Sequence, residues 1–272
     1  MGDGLLVVVI TVGLAIWLLL YVVGARSTPR DVVWLAGGPV PADEAAVYGR
    51  YLDRHRRHRL LGALLGVAFA VVIGIRWFGA VRIGIGLGHP LGDVLFCGLA
   101  GTIAGALSAE TFRLSPVRSP RVTASLQARP RTAGVSRPVV VARSLTLAAV
   151  VVGALSLPGS GYPAVSALGG VVMVGLAEAT RAATLRRRRP VLSERARVVD
   201  GRIRAFSLEA LANLELGAAV LAGGWTLAHV PGWAVAGPAA VVRGGVTLAA
   251  LVAAVVLLRR ARTSPPARFV AP

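Results

Sequence analysis

The chain has 272 residues, of which 55% are hydrophobic and 15% charged, where an ordinary globular protein carries roughly 25% charge. With a mean hydropathy of +0.70, this profile excludes most soluble classes and describes a membrane domain. A formal net charge of +18 would point a soluble protein toward nucleic acid. Here all 30 basic residues are arginine, their placement reads as topology, and no nucleic-acid partner is expected.

A helix needs about 20 mostly apolar residues to cross about 30 Å of hydrocarbon, and seven such runs follow one another. The first, 5–23, is preceded by four residues without positive charge and followed by Arg26 and Arg30, the reverse of a signal peptide. It is expected to be a retained helix with its N-terminus outside. In the basic segment 24–59, Asp43 and Glu44 start a helix with Val47, Tyr48, Tyr51 and Leu52 on one side. With the run 53–59 leading into the membrane, this reads as an amphipathic helix on the inner leaflet, where each arginine gains about 1 kcal/mol from anionic lipid.

Spans 60–75 and 90–109 come next. The second carries Gly101 and Gly105 at the spacing that lets two helices approach closely, with either another chain or this chain as partner. It also carries the single cysteine, Cys97, expected to be a small buried hydrophobe. The basic loop 110–138, with Pro116, Pro120, Pro130 and Pro138, is too polar to fold alone and is expected to be flexible. Spans 139–157 and 163–180 flank a Gly159-Ser160-Gly161 turn. A third basic loop, 181–207, leads to spans 208–228 and 238–258.

The arginines cluster at 26–59, 113–143, 181–204 and 259–268, and only Arg76, Arg82 and Arg243 fall on the other half. Short cytoplasmic loops are enriched in arginine, so the fold class is an all-α polytopic transmembrane bundle with its N-terminus out and C-terminus in. It comprises one lead helix and three hairpins. Pro90, Pro163 and Pro238 open one helix of each hairpin, where a missing N–H costs nothing. Two of these helices end alike, in Ala109-Glu110-Thr111-Phe112-Arg113 and Ala177-Glu178-Ala179-Thr180-Arg181, while the third ends in Arg259-Arg260. Parallel repeats and chance are the competing accounts.

Candidate sites are sought at charges inside the membrane, which cost at least about 2.5–3.5 kcal/mol each. Glu215, with Asn213 nearby, is the first, as a proton or cation relay, a substrate contact or an interhelical hydrogen bond. Asp93 and Arg243 fall at similar depth and could pair. His89 and His229 would complete an outer vestibule, without ligand spacing that demands a metal. Glu110 with Arg113 and Glu178 with Arg181 read as interfacial ion pairs. No catalytic group, cofactor or metal is assigned. Ala-Glu-x-x-Arg falls short of the Glu-Glu-x-x-x-Arg motif of CAAX-type intramembrane proteases, and Leu91-Gly92-Asp93 lacks the second aspartate of the intramembrane aspartyl proteases. No Walker motif occurs.

In the run Arg204-Ala-Phe-Ser-Leu-Glu-Ala-Leu211 and in its all-arginine composition, the chain resembles the multi-helix integral membrane proteins of high-GC actinobacteria. The resemblance implies a bacterial plasma membrane and no particular activity. Three function classes stay open. They are a noncatalytic transport-associated component, a scaffold or regulatory subunit holding a membrane-protein partner or anionic lipid, and an intramembrane enzyme acting on lipid or peptide.

Overall fold

The computed structural model of the chain describes residues 26–78, 90–114, 136–186, 194–232, 237–263 and 265, and the side chains of all these except 73–78, 90–93 and 113. Among the described residues there are seven α-helices and no strand. They are α1 (Pro29–Ala36), α2 (Ala42–Phe78), α3 (Pro90–Ser108), α4 (Arg137–Ser156), α5 (Tyr162–Arg186), α6 (Glu194–Ala228) and α7 (Pro238–Arg260), with a short 3-10 turn at Thr111–Leu114 after α3. Helices α4 to α7 are each long and apolar enough to cross a membrane. The protein is an all-α, membrane-embedded bundle.

Helix α6 is its axis. Two-thirds of its apolar stretch (67%) is buried, against 17% for α7, so α6 is surrounded by protein while α7 presents most of its surface outward. A helix apolar all round has to be buried in protein or bathed in lipid, and these two helices are the two solutions. The main core gathers Leu211, Leu214, Ala218 and Leu221 of α6 with Ile103 and Leu107 of α3, Ala142 of α4, Val174 and Ala177 of α5 and Ala254 of α7. On α7 the large residues Val241, Leu248 and Val252 are exposed, as a lipid-facing surface requires.

Helices α2 and α3 pack backbone to backbone. A Cβ on Gly62 would stand 2.9 Å from the Cα of Gly105 and closer still to the Gly101 carbonyl, and one on Gly66 would meet the Cys97 carbonyl. The Gly-x-x-x-Gly spacing of α3 is therefore used within the chain. Cys97 is buried beside it.

A second, smaller core lies at the arginine-rich end. The α1 helix is started by a capping box, with the Thr28 N–H donating to Asp31 Oδ2 at 2.7 Å and the Asp31 N–H donating back to Thr28 Oγ1 at 3.4 Å. It ends at Gly37, whose φ of 73° is the left-handed conformation open to glycine. Its apolar face, Val32, Leu35 and Ala36, meets Tyr48, Tyr51 and Leu52 of α2 and Val199 of α6, and Phe206 borders both cores.

This arrangement corrects the inner-leaflet helix expected over 43–59. That stretch is the first half of α2, one unbroken helix of 37 residues, about 55 Å long at 1.5 Å per residue. Its apolar face is spent on α1 and α6. Two of its arginines are engaged too, since Arg56 pairs with Asp31 at 2.8 Å and donates to the carbonyls of Arg26 and Thr263, while Arg59 donates to the Ala261 carbonyl just past α7. Carbonyls at a helix C-terminus have no partner in their own helix, and α2 supplies donors there.

The expected loop 181–207 is likewise mostly helix, because α5 runs to Arg186 and α6 starts at Glu194. Hydropathy marks only the apolar part of a helix that continues past the membrane. The span 60–75 lies inside α2, and the span 90–109 corresponds to α3, whose described apolar part, Val94–Ser108, is short. The lead span 5–23 and most of the flexible loop, residues 115–135, fall outside the described residues.

Candidate functional site

Glu215 sits on the buried face of α6 with no solvent exposure, and its carboxyl meets that of Glu178, while no N–H or other hydroxyl donor reaches either of its oxygens. The charges that reach it belong to Glu178 and Arg181 of α5 and Arg143 of α4. These three form their own network. Glu178 accepts from Arg181 at 2.7 Å across one helical turn and from Arg143 at 2.5 Å, so each of its oxygens holds a guanidinium. The Glu178–Arg181 pair expected from the sequence is present, and Arg143, the last arginine of the 113–143 cluster, is its third member.

Asn213, two positions before Glu215, faces elsewhere. Its amide donates to the Glu209 carbonyl at 3.0 Å within α6, and it lines an open cavity of about 660 Å³ between the start of α4, the ends of α5 and α7 and the middle of α6. Arg181, Arg260 and Arg262 line the same cavity, with Glu209 as a carboxylate and Leu185 and Leu208 among the apolar walls. Arg181 thus belongs to both places, since it opens onto the cavity and grips the Glu178 carboxylate that adjoins Glu215.

The sequence reading missed a further polar cluster. Glu110, placed just after α3, is 1% exposed and accepts from the Tyr51 hydroxyl at 2.5 Å. His55 Nε2 approaches the same oxygen at 2.7 Å. The Tyr51 and His55 rings lie 4.6 Å apart, as their i, i+4 spacing on α2 dictates. That spacing was the available signal, hidden by the charged run around His55. Burial pushes the imidazole below its ordinary value, the Glu110 hydrogen bond and charge oppose this, and Arg59 and Arg54 add to the lowering. The Glu110–Arg113 pair expected from the sequence cannot be drawn, because the Arg113 side chain lies outside the described residues. The two Ala-Glu-x-x-Arg motifs therefore place their glutamates in unlike surroundings, one among Tyr and His and the other between two arginines.

At the opposite end, the vestibule expected from His89 and His229 falls partly outside the described residues, because His89 does, and His229 is described alone. Its ring stacks on Trp225 with centroids 5.6 Å apart, and its Nδ1 lies 2.9 Å from the Trp225 carbonyl. Trp225 in turn meets Phe96 edge-on. Arg243 is partly buried on α7, and the Asp93 side chain that could pair with it lies outside the described residues. Among the described residues, no group of three or more His, Cys, Asp or Glu side chains converges as a metal shell would require.

Compared with protein-family models, with curated proteins and with solved structures, the chain finds no match in any of the three.

Proposed function

We propose that this chain is a noncatalytic, transport-associated component of a bacterial plasma membrane, with its arginine-rich end in the cytoplasm and its N-terminus outside. The observation that carries the reading is the shared position of Arg181. It lines an open cavity and holds Glu178, and that pair together with Arg143 brings charge to a fully buried carboxyl on the central helix. A buried ionisable group inside a membrane bundle marks an ion or substrate path more readily than a packing element, because packing is achieved at lower cost by apolar residues. The sidedness rests on the arginine distribution.

A scaffold or regulatory role is the second reading, and the compact core of α1 with the projecting halves of α2 and α6 favours it, since a transport path has no need of that platform.

The test is purification of the tagged full-length protein from its native membrane in mild detergent, with mass spectrometry of what stays bound, for the wild type and Glu215→Gln. Transport association predicts reproducible co-recovery of a permease or ATPase subunit by both, with transport by that machine impaired in Glu215→Gln. Recovery of the protein alone, together with unimpaired uptake in Glu215→Gln cells, would end the transport reading. A retained partner with no transport defect would select the scaffold.

A further inference from the structure

The cavity at the arginine-rich end has the chemistry of an anion site. Arg181, Arg260 and Arg262 line it against the single carboxylate of Glu209, an excess of two positive charges. Among the described residues no carboxylate pairs with Arg260 or Arg262. Arg181 spends one terminal nitrogen on Glu178, and its buried Nε has no hydrogen-bond partner. The first turn of the 20-residue helix α4 also opens here through Ser136, whose hydroxyl makes no capping bond. The Val139 and Val140 N–H groups donate to the Ser136 carbonyl and Pro138 has none, so what this helix end offers an entering group is the positive pole of its dipole.

Guanidinium groups bind phosphate oxygens in pairs and with fixed geometry, and a helix N-terminus adds to the attraction. The opposite walls are apolar, with Leu185 and Leu208 among them. A small hydrophilic anion would leave those walls wet, whereas a ligand with an ionic head and an apolar tail satisfies both. The cavity also lies at the end of the apolar stretches of four membrane-crossing helices, at the depth of lipid headgroups.

We infer that this cavity binds a phosphate group, presented by the headgroup of an anionic phospholipid. The inference rests on the cavity alone and stands whether or not Glu215 works in transport.

The experiment is native mass spectrometry of the full chain in detergent, titrated with phosphatidylglycerol, with phosphatidylcholine of the same chain length and with inorganic phosphate. Wild type should retain phosphatidylglycerol over phosphatidylcholine. The double variant R260Q/R262Q should bind it roughly 10- to 30-fold more weakly, R260K/R262K should fall between, and R195Q/R197Q, which removes two arginines outside the cavity at the same end, should lose less than about threefold. Both arginines of the first double variant are exposed at the cavity rim, and an unchanged melting temperature verifies its fold. Inorganic phosphate bound as tightly as the lipid, with the same dependence on Arg260 and Arg262, would keep the phosphate site and assign it to a soluble ligand. Equal losses in R260Q/R262Q and R195Q/R197Q, or none in either, would overturn the site and leave only general attraction of lipid to a basic surface.

Discussion

His55 Nε2 lies 2.7 Å from Glu110 Oε1, with both residues sealed from solvent at 0% and 1% exposure. This contact, with the Tyr51 hydroxyl on the same oxygen, ties the projecting half of α2 to the chain leaving α3. Removing the carboxylate leaves two buried polar groups without their acceptor, a loss of about 2–4 kcal/mol. Glu110→Ala should lower the melting temperature of the purified protein by roughly 5–15 °C, and Tyr51→Phe by a smaller amount. A Glu110→Ala protein melting within a degree of wild type would show that the cluster contributes nothing to the fold.

The same cluster makes stability depend on pH. Burial holds the folded-state pKa of His55 below its ordinary value, against the pull of Glu110 and with the help of Arg59 and Arg54. The unfolded chain therefore takes up the proton first as pH falls. Stability should be full above about pH 6.5, the ordinary histidine value, and decline below it, by at most about 1.4 kcal/mol per pH unit from this one group. Melting temperatures taken between pH 8 and pH 5.5 should show that decline, and His55→Gln should flatten it. An identical slope in the variant would assign the acid sensitivity to other groups.

How far the sequence carried the fold depends on which half of each helix is considered. Apolar runs located the membrane-crossing parts of α4 to α7, because only length and hydropathy are needed for those. They gave no notice that α2 and α6 continue as helices through charged sequence, since a charged residue outside the membrane is as helical as its propensity allows. The Glu178–Arg181 contact was legible as an i, i+3 pair on one helix. Arg143 was not, because its contact crosses 35 positions of sequence, and a single sequence holds no periodicity that links two helices. Glu215 stood out as a charge in an apolar run, whereas its neighbours Glu178 and Arg143 depended on how α4, α5 and α6 pack.

The α2–α3 seam should be intolerant of even one methyl group. Gly62 and Gly101 each have the other's backbone carbonyl where a Cβ would go, so neither can relax by rotating a side chain. Gly62→Ala or Gly101→Ala should cost about 1–3 kcal/mol through overpacking. Gly201→Ala, where a Cβ meets nothing within 4 Å, should be neutral or slightly stabilising, because glycine weakens a helix interior. The comparison is a melting series in one detergent, and equal behaviour of the three variants would mean that the two helices pack more loosely than the structure has them.

Glu215 and Glu178 should respond in opposite ways to the same substitution. Glutamine at 178 forfeits the charge that holds Arg143 and Arg181, so Glu178→Gln should destabilise the protein by about 1–3 kcal/mol, with the half-exposed Arg143 contributing the smaller share. Glutamine at 215 can keep the contact with Glu178, because its amide donates to a carboxylate as the protonated carboxyl does. It also removes an ionisable group from a fully buried position, so Glu215→Gln should melt within about 1 kcal/mol of wild type or slightly above it. That makes Glu215→Gln informative about function. A cell that depends on the protein and fails with a variant of unchanged stability has lost the ionisable carboxyl and nothing else, whereas a clear drop in melting temperature would show that the amide cannot replace the carboxyl against Glu178 and return the residue to a packing role.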